Sequence, residues 1–195
     1  QEQIIDRQSE TTDVFFIVEG KVRVVNYSVS GREITLDDIE PGGHFGELAA
    51  IDGAPRSASV MALTPCRVAL LPQERFLALI ERHPSVAIRV MRDMAVIIRN
   101  STERIMDLST LAANNRVQAD LLRLAVNNMA DDDRASISPI PVHGDVASRV
   151  STTRETVARV MNDLARQGVV ERRKDALVVN DVERLRDMVE EVRGE

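Results

Sequence analysis

The stretch 14-VFFIVEGKVRVVNYSVSGREITLDDIEPGG-43 indicates how the first part of the chain folds. Its runs of Val, Ile and Phe are interrupted by Gly20, by residues 30–32 and by residues 41–43. Runs of β-branched and aromatic residues between glycine-containing turns are typical of short strands. The run 58–72 has the same pattern. We therefore predict a small antiparallel β-roll, similar to a jelly roll, over residues 1–84.

The pattern becomes helical after this region. Residues 73–83 form an amphipathic pattern that ends before Pro84, and residues 85–113 contain neither Gly nor Pro. Apolar side chains in this segment follow the 3-4 spacing of a heptad seam, with Ser101 as a polar break. The apolar members of the seam are Met91, Met94, Ile98, Ile105, Leu108 and Ala112. We predict a long helix that pairs with its own copy and ends near a break at 114–115; packing on its own domain is the alternative.

The last part of the chain has the pattern of a winged helix-turn-helix. Two short helical segments at 143–150 and 153–168 are joined by a tight turn, and a hairpin is predicted over 169–180 before a final helix. The segment 130–141 is acidic and contains Pro, and we predict a linker or surface loop there. The expected fold is therefore α+β, with the winged domain over 114–195.

Composition narrows the class of protein. The chain is 44% hydrophobic and 29% charged, with a net charge of −6, which is ordinary for a globular protein. Its one cysteine, Cys66, excludes an internal disulfide and fits a cytoplasmic protein. No apolar run is long enough to span a membrane, so no membrane partner is expected. Because the chain starts with Gln rather than Met, we expect a missing segment before it.

The stretch 45-FGELAAIDGAPRSASV-60 brings together a few groups that could bind a ligand. Gly46 lets the backbone approach a ligand, and a short helix beginning here would favour an anion. Arg56 can bind two phosphate oxygens, and Ser57 adds a hydroxyl donor. Glu47 can accept from a ribose hydroxyl. The set indicates a ligand with one phosphate near a ribose; a structural ion pair between Glu47 and Arg56 is the alternative.

The sequence G-E-L-A at 46–49, followed by P-R-S-A-S at 55–59, resembles the phosphate-binding cassette of cyclic-nucleotide-binding domains. With the roll, the long helix and the winged helix, the whole chain resembles the bacterial CRP/FNR family of transcription factors. This resemblance implies that Gly46 and Glu47 hold the ribose, with Glu47 on the 2′-hydroxyl, and that Arg56 and Ser57 bind the cyclic phosphate. Leu48, in the same segment, is a further candidate binding residue. It also implies an allosteric effector, cyclic AMP, with cyclic GMP possible.

On the long helix, Ser101 and Thr102 stand where the family contacts the purine. The resemblance implies that Ser101 reaches the base from one subunit and Thr102 from the other. The family's usual order is Thr first and Ser second, and here it is reversed. Both hydroxyls are present, so a base contact is expected, but the preference for adenine over guanine stays open.

The start of the second helix of the turn motif predicts a DNA contact. Glu155 and Arg159 are four residues apart and share a face, with Arg154 beside them. Arg can bind guanine and Glu can accept from cytosine in the major groove; an exposed, salt-bridged helix face is the alternative. The resemblance extends to R-E-T-V-x-R-V and implies a palindromic operator with TGTGA-type half-sites. Ser151 and Thr153 at the turn could bind phosphates.

Local charge supports a polyanion partner. Between residues 143 and 174 there are seven basic and four acidic residues, so this window is positive in an acidic chain. Arg172, Arg173 and Lys174 in the wing are candidate contacts to the DNA backbone. Ser151 occupies a turn position that often holds Gly. RNA polymerase is a further expected partner, and the segment 130–141 is a candidate for touching it.

Other classes of protein fit less well. The three histidines lie in separate segments, unlike the clustered ligands of a metal-dependent enzyme, and no pairing of a nucleophile with a base is visible. A non-enzymatic regulator is therefore expected. A relative that senses haem through His44 or another effector, and a DNA-binding dimer without a ligand, both stay open. One cysteine is too few for an iron–sulfur cluster.

Overall fold

The structure, a computed structural model, describes residues 2–129 and 133–194. The chain forms two compact units, Gln1–Ile98 and Arg99–Glu195. The division into segments 1–84, 85–113 and 114–195 stays a prediction. The first unit contains β1 Gln3–Ile5, β2 Val14–Glu19, β3 Val22–Tyr27, β4 Glu33–Ile39, β5 His44–Phe45, α1 Glu47–Asp52, β6 Ser59–Ala62, β7 Arg67–Leu71 and α2 Gln73–Arg82.

Two antiparallel sheets form the first unit. One has the strand order β1-β6-β3-β4 and the other β5-β2-β7. Their apolar faces share a core in which Val22 and Val60 of the first sheet meet Ile17 and Phe45 of the second. The glycine-bearing breaks after β2 and β4 fall where the sequence placed them. The predicted antiparallel roll is confirmed, since each half-apolar strand buries one face against the other sheet.

The long helix α3 spans Pro84–Thr110, 27 residues. Pro84 begins this helix, because proline's fixed φ and missing N–H suit a first helical position. The side chains of Met91, Ile98, Ile105 and Leu108 are exposed, with Ile98 at 63%. Met94 instead packs partly against the cluster around Phe76. Most of the predicted seam is therefore left uncovered by the rest of the chain.

The predicted helix break was misplaced. Helix α4 is Ala113–Val126, so residues 114–115 lie in its first turn, and the break falls at 111–112. Ala112 is the N-cap of α4 with an extended ψ of 157°, so it does not continue the seam of α3. Leu111 is buried with Ala119 and Val189. Burial of this leucine turns the chain before the asparagines are reached.

The second unit continues with β8 Ala135–Ile137, α5 His143–Arg149, α6 Arg154–Arg166, β9 Val170–Arg172, β10 Leu177–Val179 and α7 Val182–Arg193. The two predicted helices of the turn motif, the hairpin and the final helix are confirmed. Their buried faces share one core, which includes Val117, Leu164 and Leu185. Among the described residues, no helix combines the length and hydropathy that crossing a membrane requires.

The prediction of a loop over 130–141 was partly wrong. Strand β8 pairs with β10, with Ser136 opposite Val178, and completes a three-stranded sheet in the order β8-β10-β9. Ala135 and Ile137 are buried while Ser136 is exposed. Three residues are too few for the alternation to show in the sequence, and the strand exists because β10 offers it an edge. Residues 130–132 lie outside the described part of the chain.

Candidate functional site

Gly46 lies at the centre of the first candidate site. It precedes α1 and has a left-handed φ of 88°. A Cβ at this position would lie 2.7 Å from Nη1 of Arg56 and 2.8 Å from the carbonyl oxygen of Asp13. Both the backbone conformation and the space therefore require glycine. The result is that Arg56 lies directly against the backbone that begins α1.

Arg56 is buried, with 4% of its surface exposed, and hydrogen bonds hold its guanidinium in place. Its Nη1 donates to the carbonyl of Gly46 at 2.9 Å, and its Nη2 donates to the carbonyl of Asp13 at 2.8 Å. Its Nε donates to Oγ1 of Thr11 at 3.2 Å. A guanidinium has five N–H donors, so these three bonds leave two for a ligand. The protein thus fixes the planar cation in place while keeping part of its binding capacity.

The charge on Arg56 persists despite burial. Burial lowers the pKa of the guanidinium, and the negative charges of Asp13 and Glu47 oppose that effect. An arginine stays cationic at neutral pH under such a perturbation. A fixed, partly desolvated cation attracts an anion more strongly than an exposed one, because water screens it less. The chemistry offered here is the binding of an oxyanion.

Glu47 begins α1 and is 7% exposed. Within residues 2–129 and 133–194, Glu47 and Arg56 do not approach within 4.0 Å as an ion pair, so the predicted structural alternative is not formed. In the same described residues, the Glu47 carboxylate has no hydrogen-bond donor. Its oxygens are not among the described polar atoms that are both buried and unpartnered, so solvent reaches the carboxylate. It is therefore suited to accept from a ligand hydroxyl.

The structure brings four of the predicted cassette residues together, and Ser57 lies next to them in sequence. Leu48 is half-buried in α1, whereas the Ser57 side chain is exposed. The Ser57 carbonyl accepts a hydrogen bond from Nδ2 of Asn26 at 3.3 Å. Ser101 and Thr102 are exposed on α3 in the second unit. Their contact with a base stays a prediction.

The second candidate site lies at the turn between α5 and α6. Ser151 has a left-handed φ of 53°, the conformation for which this turn often uses glycine. Thr153 is the N-cap of α6, and its Oγ1 accepts from the amide of Thr156 at 3.2 Å. The buried stripe of α6, which includes Val157 and Leu164, packs into the core. The opposite face is therefore presented outward.

The residues that are predicted to contact DNA bases lie on that outward face. Arg154, Glu155 and Arg159 are exposed at the start of α6. Glu155 accepts from its own backbone N–H and from Thr153, and these hydrogen bonds lower the pKa of its carboxyl. The Arg154 guanidinium lies against Gly144, where a Cβ would come within 2.9 Å of its Nε. These three side chains are therefore accessible on α6, and their contact with DNA stays a prediction.

Arg116 was missed from the sequence. Its guanidinium donates to three backbone carbonyls, those of Leu111 at 2.8 Å, Val150 at 2.9 Å and Ser151 at 3.2 Å. These bonds tie the end of α3 to the turn before α6. A single arginine on a helix carries no local sign of acceptors 34 and 35 residues away. Only the fold reveals this role.

Two buried aspartates support the same region. Asp107 of α3 accepts from Arg123 of α4 at 3.3 Å and from Arg193 of α7 at 2.6 Å. Asp120 of α4 forms a two-pronged pair with Arg149 of α5, with a shortest distance of 2.8 Å. These pairs join four helices of the second unit by charge-assisted hydrogen bonds.

Comparison with known families gives a match for each of two parts of the chain. Residues 1–83 match the cyclic nucleotide-binding domain, and residues 115–188 match the Crp-like helix-turn-helix domain. A curated relative, the cyclic AMP receptor protein of Thermus thermophilus, is 35% identical over 159 residues, 80% of this chain and 70% of the relative. The chain belongs to the CRP/FNR family. It is a cyclic-nucleotide-binding, DNA-binding transcription regulator of that family.

Solved structures of bacterial regulators have the same fold. A CRP-family transcriptional regulator from Thermus thermophilus is 27% identical, with a TM-score of 0.73 over 97% of this chain and 93% of its own. The c-di-GMP-responsive global regulator CLP of Xanthomonas campestris is 18% identical, with a TM-score of 0.75 over 92% of this chain and 89% of its own. The second likeness shows the shared fold alone.

Proposed function

We propose that this CRP/FNR protein is a homodimeric regulator that cyclic AMP switches onto a palindromic DNA operator. The observation that carries the proposal is the Arg56 guanidinium, which is held by backbone carbonyls and has two N–H donors to spare beside the Glu47 acceptor. A cyclic phosphate fused to a ribose needs such a pair. Ser57 adds a hydroxyl at the same loop.

The base of the nucleotide would be recognised by the long helices. Ser101 and Thr102 would contact it, each from a different subunit. The likeness to a relative named as a cyclic AMP receptor protein favours adenine. The reversed order of the two hydroxyl residues makes cyclic GMP the second candidate. Sensing of another effector, including haem through His44, is a further outcome of the test below.

The dimer would form along α3. A helix with several large apolar side chains exposed on one stripe gains free energy by covering them, and a second copy supplies the same stripe. Met91, Ile98, Ile105 and Leu108 are the residues that support this pairing. Met94 would contribute less, because it already packs against its own roll.

On DNA, Arg154, Glu155 and Arg159 would read base edges, and Ser151 and Thr153 would bind phosphates. Two copies of α6 would enter successive major grooves about 34–36 Å apart. Ligand and operator affinity would then be reciprocally coupled, typically by ~1–3 kcal/mol. RNA polymerase is a proposed partner of the DNA-bound dimer.

Calorimetric titration with cyclic AMP and, separately, cyclic GMP tests the effector. Binding with micromolar affinity is expected, and the ratio of the two affinities identifies the base. Arg56→Gln should abolish binding, whereas the matched control Arg67→Gln, an exposed arginine paired with Glu19, should leave it unchanged. No binding of either nucleotide would contradict the proposed effector.

Operator binding is measured next, with and without saturating nucleotide. A tighter complex with nucleotide, lost in Arg56→Gln, supports the switch. An operator affinity that nucleotide leaves unchanged would contradict the switch while leaving DNA binding intact.

A further inference from the structure

Asn26 occupies an unusual place in the roll. It lies on β3, a central strand between β6 and β4. Pairing of β3 with β6 is regular over residues 22–25, and the pairing with β4, which includes Asn26, has a register shift between Val24 and Val25. Continued alternation of side chains along β3 puts Asn26 on the face of Val22 and Val24. Both valines pack into the core between the sheets. This inward position would ordinarily hold an apolar side chain.

The two ends of the Asn26 amide have different environments. Its Nδ2 donates to the backbone carbonyl of Ser57 at 3.3 Å, so the amide is tied to the cassette. Its Oδ1 is buried and has no hydrogen-bond partner among the described residues. Rotating the amide would set Oδ1 against the Ser57 carbonyl, acceptor against acceptor. The oxygen therefore stays without a donor in either orientation.

An unpaired buried acceptor is expensive. Leaving such a group without a partner costs about 1–3 kcal/mol, and native structures contain few of them. The amide nitrogen alone accounts for the bond to Ser57. The oxygen has no partner within the described part of the chain. It belongs to a side chain that is hydrogen-bonded to the loop that would bind the cyclic phosphate.

We propose that Asn26 is a specificity-determining residue whose Oδ1 accepts a hydrogen bond from the bound nucleotide. This inference rests on the proposed function. An amide oxygen only accepts, so the ligand must donate. The cyclic phosphate has no donor, and the single ribose hydroxyl is the group proposed to donate to Glu47, so the amino group of the base is the expected donor. Asn26 thus selects a ligand whose base carries such a group.

The test compares nucleotide analogues on the whole protein. Wild type and Asn26→Leu are titrated with the cyclic nucleotide that the wild type binds, with its 2′-deoxy analogue, and with the analogue that lacks the base amino group. We expect Asn26→Leu to weaken binding of the parent nucleotide by roughly 3- to 10-fold. That loss should vanish for the one analogue that lacks the partner group, which identifies the donor.

Two controls separate this role from a structural one. Tyr27→Phe, at the next position and on the opposite face, should leave all three affinities unchanged. Without ligand, Asn26→Leu should unfold within a few degrees of the wild type, since the relief of the unpaired oxygen offsets the loss of the Nδ2 bond to Ser57. Asn26→Val provides the same test if leucine is too large for the site.

The outcomes are distinct. An equal loss with all three ligands, or no loss, would overturn the role of Asn26 while the proposed function stands. A variant that loses thermal stability in proportion to affinity would also overturn it. A wild-type protein that binds no cyclic nucleotide would remove both proposals.

Discussion

Nη2 of Arg116 donates to the backbone carbonyl of Ser151 at 3.2 Å, at the one turn residue between α5 and α6 with a left-handed φ. The same guanidinium holds the carbonyls of Val150 and Leu111. The bond therefore stabilises a turn conformation that serine does not favour, and it positions the start of the recognition helix α6. Two mutational effects, at Ser151 and at Arg116, are expected from this relationship.

Ser151→Gly should stabilise the protein. The left-handed conformation costs a non-glycine residue about 1–2 kcal/mol, and the added freedom of glycine in the unfolded chain offsets part of this gain. We expect a net increase of ~0.5–1 kcal/mol in the free energy of unfolding, measured with urea. Thr152→Gly, at a neighbouring position without positive φ, should destabilise. Loss of stability in Ser151→Gly would show that its side chain is needed.

Arg116→Gln should destabilise strongly and impair DNA binding. It leaves three backbone carbonyls without their charged donor, at about 2–4 kcal/mol in total. Urea unfolding and operator titration measure the two effects. Arg166→Gln on α6, where the arginine is exposed and pairs with Asp163, is the control and should change stability by less than about 0.5 kcal/mol. Equal effects in the two variants would rule out the positioning role.

Asp107→Asn should loosen the contact of α3 with α4 and α7. The carboxylate is buried, while its partners Arg123 and Arg193 are partly exposed and remain hydrated after the change. We expect a loss of about 2–3 kcal/mol, below the full cost of breaking a buried pair. Thermal or urea unfolding gives the value. Asp163→Asn, an exposed partner of Arg166, should have little effect.

Gly46→Ala should abolish cyclic nucleotide binding. The new Cβ would meet Arg56 and the carbonyl of Asp13 at a position with positive φ, so the guanidinium must move. Calorimetry should show the loss of binding, with a lower unfolding temperature. Gly42→Ala is the matched control, because it has a similar φ of 89° but open space around its Cβ. Retained binding in Gly46→Ala would contradict the fixed position of Arg56.

Glu155→Ala should relax operator specificity at one base pair by ~1–3 kcal/mol. Titration of operators changed one base pair at a time measures this, with Glu171→Ala in the wing as the control. A uniform loss over all operators would mean that Glu155 acts only at the helix end.

The contribution of Glu155 to the stability of the protein should also depend on pH. Because hydrogen bonds lower the pKa of its carboxyl, its stabilising effect is present above the ordinary glutamate pKa and is lost as pH falls through the lowered value. Glu155→Gln should flatten this part of a stability profile measured across acidic pH. A profile identical to that of the wild type would contradict the assignment.

The sequence was sufficient wherever the signal is local. Strand runs interrupted by glycine, the helical period after residue 72 and the cassette at 45–60 depend on neighbouring residues, and the structure and family match agree with them. The break at 111–112 was misplaced, because burial of Leu111 outweighs the local preference of two asparagines. Strand β8 was missed, because three residues become a strand only beside β10.

Periodicity, turn residues and short motifs are written in consecutive positions, so the α+β fold, the two candidate sites and the family could be inferred from the sequence. The folded chain was needed to show that Arg56 bonds carbonyls rather than Glu47, that Arg116 holds the turn at Ser151, and that Asn26 keeps an unpaired oxygen. These are contacts between residues far apart in the chain, and their partners are backbone groups that every residue possesses. A pattern of side chains in the sequence therefore does not predict which backbone group will be the partner.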